Sequence, residues 1–179
     1  MNICFFCSSS DKLSPLFYSE AQEVGRALAK HHLIYGGSNA GMMGAVASAA
    51  IKQGGEVTGI ITEGLNTKDN QQVGLKDLII CSGLNERKNK LVAMADVFLI
   101  LPGGFGTLDE ALEVLALKQV GETKKPIIFY NCFGFWDSFV ELSENLFEQR
   151  MVQEDLSQLF KVVSNVSDLV QKLGEFNLS

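Results

Sequence analysis

A doubly wound α/β fold, a parallel sheet with helices on both faces, is what this sequence predicts, and three observations carry the prediction. Short runs of consecutive apolar residues, such as Ile3-Cys4-Phe5-Phe6 and Val97-Phe98-Leu99-Ile100, read as strands buried on both sides. Between these runs lie longer segments with helical periodicity and helix punctuation, among them Pro15 at a helix start and Gly54-Gly55 at a helix stop. The connections are short, which suits alternating β and α elements wound into one sheet.

Taken in order, strands are expected at residues 2–7, 33–35, 56–61, 78–81, 97–101, 126–130 and 160–163. Helices are expected at residues 15–31, 42–53, 84–94, 107–120, 135–148 and 166–173, giving a Rossmann-like sheet of about seven strands. His31 and His32 then fall at a helix end, as charge complements or surface residues. No Pro/Ser-rich linker or charge block divides the chain, so residues 1–179 are expected to form one nucleotide-binding catalytic domain.

A chain of 179 residues buries roughly 70% of its unfolded surface. Its 46% hydrophobic and 20% charged residues are ordinary for a globular fold. The net charge of −6 argues against a broad nucleic-acid surface but is compatible with a single nucleotide held by local N–H groups. No run approaches the roughly 18 apolar residues of a membrane helix, and no secretion signal is evident. Cys4 and Cys7 have zinc-like spacing, yet a strand points them to opposite faces and no second close pair exists. All four cysteines are therefore expected to be reduced thiols in a cytoplasmic protein, with no metal site.

Ligands in such sheets sit beyond the carboxyl ends of the strands. That rule gathers the loop around Ser8, the loop from Gly36 to Gly41, the polar stretch 62–74 and the run Pro102-Gly103-Gly104-Phe105-Gly106-Thr107. The last of these joins a strand to a helix, and its glycines let backbone N–H groups close on a phosphate. Glu110 stands three residues beyond Thr107, within the expected first helical turn. Stretch 62–74, polar and without periodicity, is expected to be a mobile loop over the site.

The run from Pro102 to Glu110 resembles the PGGxGTxxE signature of the Lonely Guy family, proteins long labelled lysine decarboxylases. Phe6-Cys7-Ser8-Ser9-Ser10, Tyr35-Gly36-Gly37, Gly41-Met42-Met43-Gly44, Glu86-Arg87-Lys88 and Gly134-Phe135-Trp136-Asp137 look like the same family. Ser8, Ser38, Thr62 and Asn85 depart from its usual pattern, which bears on the identity of the base. The resemblance implies hydrolysis of the N-glycosidic bond of an adenine-type nucleoside 5′-monophosphate, AMP or an N6-substituted analogue such as a cytokinin riboside monophosphate. It implies no metal or organic cofactor, and a homodimer or higher homo-oligomer.

Under that implication Glu110 and Arg87 are the catalytic pair. Ser8, Gly36, Gly37, Lys88, Gly103, Gly104, Gly106 and Thr107 are the substrate-binding residues. A helix N-terminus is expected to keep the Glu110 pKa low, which suits stabilising a cationic ribose. Lys88, about 100° round its helix from Arg87, faces either a phosphate or solvent.

Plainer readings stand beside these. Thr107 and Glu110 fit a capping box, and Arg87 and Lys88 fit a solvated helix face. The glycine loops fit tight strand–helix packing. Met42 and the alanines of 45–50, or the apolar face of 112–120, form either a self-association surface or a cover for their own sheet. The alternative function is a non-catalytic nucleotide-binding or sensing protein. A dehydrogenase lacks its G-x-G-x-x-G after the first strand, and a pyridoxal enzyme lacks a lysine in recognisable context.

Overall fold

Seven strands form one sheet in the computed structural model, which describes residues 1–67, 70–152 and 155–176. They are β1 (Asn2–Phe6), β2 (His32–Tyr35), β3 (Val57–Thr62), β4 (Asp77–Cys81), β5 (Val97–Ile100), β6 (Ile127–Tyr130) and β7 (Lys161–Val163). Their order is β4-β3-β2-β1-β5-β6-β7, and every pairing is parallel. The helices are α1 (Pro15–Leu28), α2 (Gly41–Lys52), α3 (Leu84–Met94), α4 (Phe105–Gln119), α5 (Asp137–Glu148), α6 (Leu156–Leu159) and α7 (Val166–Phe176).

The apolar runs became strands because both of their faces are covered. Ile3, Phe5 and Cys7 pack into the core shared with α1, α2 and α7, while Cys4 and Phe6 point into the core beneath α3, α4, α5 and α6. β3, β5 and β6 are buried at every position, whereas the edge strands β4 and β7 are partly open. The two cysteines with zinc-like spacing thus lie on opposite sides of one strand, and all four are free thiols.

Several boundaries moved for local reasons. α1 starts at Pro15, capped by the Ser14 hydroxyl, but stops at Leu28 rather than 31. The Ala29 N–H closes a tight final turn on the Arg26 carbonyl, and His32 enters the sheet instead, its N–H donating to the Met1 carbonyl. His32 therefore belongs to β2, with Nε2 2.9 Å from Thr58 Oγ1, and is no helix-end complement. α5 begins at Asp137 because 132–134 form a 3₁₀ turn in which Phe133 takes a left-handed φ of 59°. The short α6 lies in a stretch whose sequence carried little signal.

The chain winds outward from β1 through β2, β3 and β4, then returns to place β5 on the other side of β1. The direction of winding therefore reverses between β1 and β5, the place where such sheets leave a crevice at their carboxyl edge. The two loops leaving these strands touch there, with the Ser8 N–H donating to the Pro102 carbonyl at 3.0 Å.

Candidate active site

A cavity of about 420 Å³ opens at this reversal point. It is lined by Cys7, Ser8, Ser9 and Ser10 after β1, by Gly104, Gly106, Thr107 and Glu110 at the start of α4, and by Arg87 from α3. Met43, Leu65 and Leu84 complete its walls. Of the ten residues expected in the site, six meet here: Ser8, Arg87, Gly104, Gly106, Thr107 and Glu110.

The glycines of the α4 loop serve two different ends. A side chain on Gly103 would put its Cβ 2.1 Å from Thr107 Oγ1, so this position is bare to let Thr107 fold back over the loop. At Gly104 and Gly106 an added Cβ would meet no protein atom within 4 Å. Packing does not demand glycine at these two positions, which border the open cavity. Gly104 is the residue preceding α4, in extended conformation and with no side-chain cap, so the first N–H groups of a 15-residue helix stand uncovered beside the cavity. Such a terminus favours an anion.

This numbering of α4 also removes the capping-box reading. The helix begins at Phe105, so Thr107 is already its third residue and Glu110 its sixth. Glu110 does not reach back to backbone donors. Its Oε1 accepts a short hydrogen bond from Arg87 Nη2, and the two side chains are 5% and 12% exposed. Arg87 Nε is buried without a hydrogen-bond partner among the described residues.

The expectation of a low Glu110 pKa is corrected here. Burial pushes the carboxyl up to about 7, outweighing the charge and hydrogen bond of Arg87, which pull it down. Two residues further into the helix than expected and past its first turn, Glu110 gains little from the terminal dipole, whose influence fades within that turn. The cavity's one thiol is no rival nucleophile, because burial and the neighbouring Glu110 raise the Cys7 pKa well above its usual value.

The remaining expected residues lie around the cavity. Gly36 lines an annex of about 180 Å³ that adjoins the main chamber through Ser9, Met43, Leu65 and Arg87. Gly37, at a left-handed φ of 80°, is not part of the lining, but a Cβ there would come 3.2 Å from the Cβ of Ile61, which lines the annex. Gly103 faces a separate apolar cavity of about 250 Å³ with Leu13, Phe17, Met42 and Phe135. Lys88 turns to α4, with Nζ 2.9 Å from Glu113 Oε2 and 3.2 Å from Asp109 Oδ2, which also occupies Glu113. Met43 and Leu84 were not foreseen as walls, since apolar residues carry no signal of their position, whereas Leu65 and Asn70 belong to stretch 62–74, which was expected beside the site.

With this geometry in view, the family described as "Possible lysine decarboxylase" matches residues 43–173. The chain belongs to that family, the Lonely Guy group. Among relatives in the family, the cytokinin riboside 5′-monophosphate phosphoribohydrolase LOG of Oryza sativa subsp. japonica is 33% identical over 97% of this chain and 73% of its own length. The cytokinin riboside 5′-monophosphate phosphoribohydrolase LOG2 of Arabidopsis thaliana is 31% identical over 97% and 83%. Solved structures with the same fold include a molybdenum cofactor carrier protein from Chlamydomonas reinhardtii, with a TM-score of 0.76 at 17% identity over 99% and 98% of the two chains. Another is a molybdenum cofactor binding protein from Rippkaea orientalis, at 0.72 and 21% identity over 98% and 96%. At such identities these two structures speak for the fold alone.

Proposed function

We propose that the chain hydrolyses the N-glycosidic bond of an adenine-type nucleoside 5′-monophosphate, AMP or an N6-substituted analogue, to free base and ribose 5-phosphate. The observation that carries this reading is the buried Arg87–Glu110 pair in the wall of a cavity that also meets the uncovered N-terminus of α4. In our reading the 5′-phosphate lies against the N–H groups at Gly104, Gly106 and Thr107, with the Ser8 loop on its other side. This places the sugar over Glu110.

Water adds to the anomeric carbon, the C–N bond breaks with its electron pair going to the base, and one proton of the water ends on that base. As the bond breaks, positive charge grows on the ribose ring. A buried, ionised Glu110 stabilises that charge, takes up the proton of the attacking water and passes it on to the departing base. Arg87 keeps the carboxyl ionised near neutrality and fixes its direction. A protein that only bound nucleotide would have no use for a buried carboxylate beside the sugar.

We infer a homo-oligomer from the family resemblance of the sequence, and the surface adds a place for it. α2 buries Met42, Val46, Ala47, Ala49 and Ala50 within its own protomer, with Val46 and Ala49 facing Gly25 of α1, which leaves α4, with Leu112 exposed and Val120 exposed just beyond its end, as the self-association face we favour. Four buried free thiols agree with a cytoplasmic location. No helix among the described residues is long and apolar enough to cross a membrane.

The test is a panel of nucleoside 5′-monophosphates with chromatographic detection of free base. Release of adenine or an N6-substituted adenine, with ribose 5-phosphate in equal amount, is the expected result. Tight binding of nucleotide with no base released would replace this reading with the sensing one.

A further inference from the structure

The connection between β3 and β4 is fastened to the loop between β2 and α2. The Ser38 hydroxyl, 8% exposed, donates to Asn70 Oδ1 at 2.5 Å and accepts from the Ala40 N–H at 3.1 Å. The Asn39 N–H donates to the Asn70 carbonyl at 3.1 Å, and Ser38 forms an isolated antiparallel bridge with Gln71. Asn70 Nδ2 in turn donates to the Leu65 carbonyl at 2.9 Å. One buried hydroxyl thus ties together the residues that wall the 180 Å³ annex, with Leu65 and Asn70 on one side and Gly36, Ala40 and Met43 on the other.

The order of groups along the cavity gives the annex an occupant. A 5′-phosphate at the head of α4 and a sugar over Glu110 leave the base to continue past Arg87, away from Gly104. The annex begins there, sharing Arg87, Met43 and Leu65 with the main chamber. The apolar cavity at Gly103 lies on the phosphate side and touches neither Arg87 nor Glu110.

Resting on the nucleotide reading above, we propose that Ser38 is a positioning residue that sets base selectivity. By latching Asn70, it holds the annex to the size of an unsubstituted purine and disfavours bases with a bulky N6 group. Ser38 acts through the wall, because its hydroxyl proton is committed to Asn70 and its oxygen already accepts from the Ala40 N–H. A wall joined by the Ser38–Asn70 side-chain bond and the Asn39–Asn70 backbone bond yields less readily than one joined by the backbone bond alone.

The test compares AMP with N6-benzyl-AMP. Dissociation constants for both, and for ribose 5-phosphate, are measured by calorimetry in a Glu110→Gln background that prevents turnover. Wild-type latch residues give a preference for AMP. Ser38→Gly and Asn70→Ala each reduce that preference by about tenfold or more, the size of effect that relief of a steric misfit gives. Ser38→Thr keeps the hydroxyl and keeps the preference, and ribose 5-phosphate binds all variants alike.

An unchanged preference in both Ser38→Gly and Asn70→Ala overturns the proposal. So does an equal loss of affinity for all three ligands, or a wild-type preference for N6-benzyl-AMP. Failure of the hydrolysis reading looks different: the intact enzyme releases no base from either nucleotide, while the binding preference still depends on Ser38.

Discussion

Arg87 on α3 and Glu110 on α4 meet in a hydrogen-bonded ion pair almost withdrawn from solvent, in the wall of a chamber that also reaches the α4 N-terminus. Burial and pairing oppose one another at this carboxyl. Burial wins by enough to bring its pKa to about 7. The balance point therefore falls in the range where an enzyme is ordinarily assayed.

The first consequence is a pH profile. The ionised carboxylate is the working form, so kcat/KM rises with pH and reaches half its plateau near pH 7. Arg87→Met removes the cation and the hydrogen bond that pull the pKa down, so the acidic limb of the surviving activity moves to higher pH. A limb near pH 4.5, or one unmoved in Arg87→Met, contradicts this account of the pair.

The same shift couples to stability. The folded-state pKa lies above the unfolded value of 4.5, so the folded form binds the proton more tightly. That stabilisation is complete below about pH 4.5 and is lost as pH rises through about 7. Denaturant unfolding of wild type and Glu110→Gln at pH 5 and pH 8 should show wild type losing ground to the variant, by up to about 3 kcal/mol.

Much of this was legible in the sequence, for reasons specific to each element. β3, β5 and β6 are buried at every position, so their apolar runs announced them, and α3 lies at the expected residues 84–94. The end of α1 was not legible, because Ala29, Lys30 and His31 favour a helix while the sheet ladder at Met1 claims the next residue. The Arg87–Glu110 pairing came from resemblance and its geometry from the fold. The Glu110 pKa was misjudged because burial is a tertiary property that no local pattern carries. Stretch 62–74 was expected beside the site, but the contacts of Leu65 and Asn70 were not legible, because a loop without periodicity does not reveal what it leans on.

The α4 loop separates folding from binding. Gly104→Ala and Gly106→Ala add a Cβ that meets no protein atom, so unfolding free energy should change by less than about 0.5 kcal/mol. The KM for nucleotide should rise about tenfold or more as the phosphate loses close backbone approach. Gly103→Ala drives a Cβ into Thr107, so it should destabilise by about 1–3 kcal/mol. Thermal unfolding with steady-state kinetics on the three variants distinguishes these outcomes.

Lys88 offers a contrast with its neighbour. Its ammonium is held between Glu113 and Asp109, joining α3 to α4 beside the buried pair. Lys88→Met should cost about 1 kcal/mol or less in stability, since both partners are partly exposed. Its KM should stay within about threefold of wild type, whereas a lysine that contacted the phosphate would lose more than about tenfold.

The central claim is that the Glu110 carboxylate acts on the sugar at the bond being broken. Single-turnover release of adenine from AMP, measured with wild type and with Glu110→Gln at saturating enzyme, tests it most directly. The account predicts that Glu110→Gln folds, binds AMP and releases base at least about a thousandfold more slowly. A Glu110→Gln enzyme that releases base at the wild-type rate would contradict it.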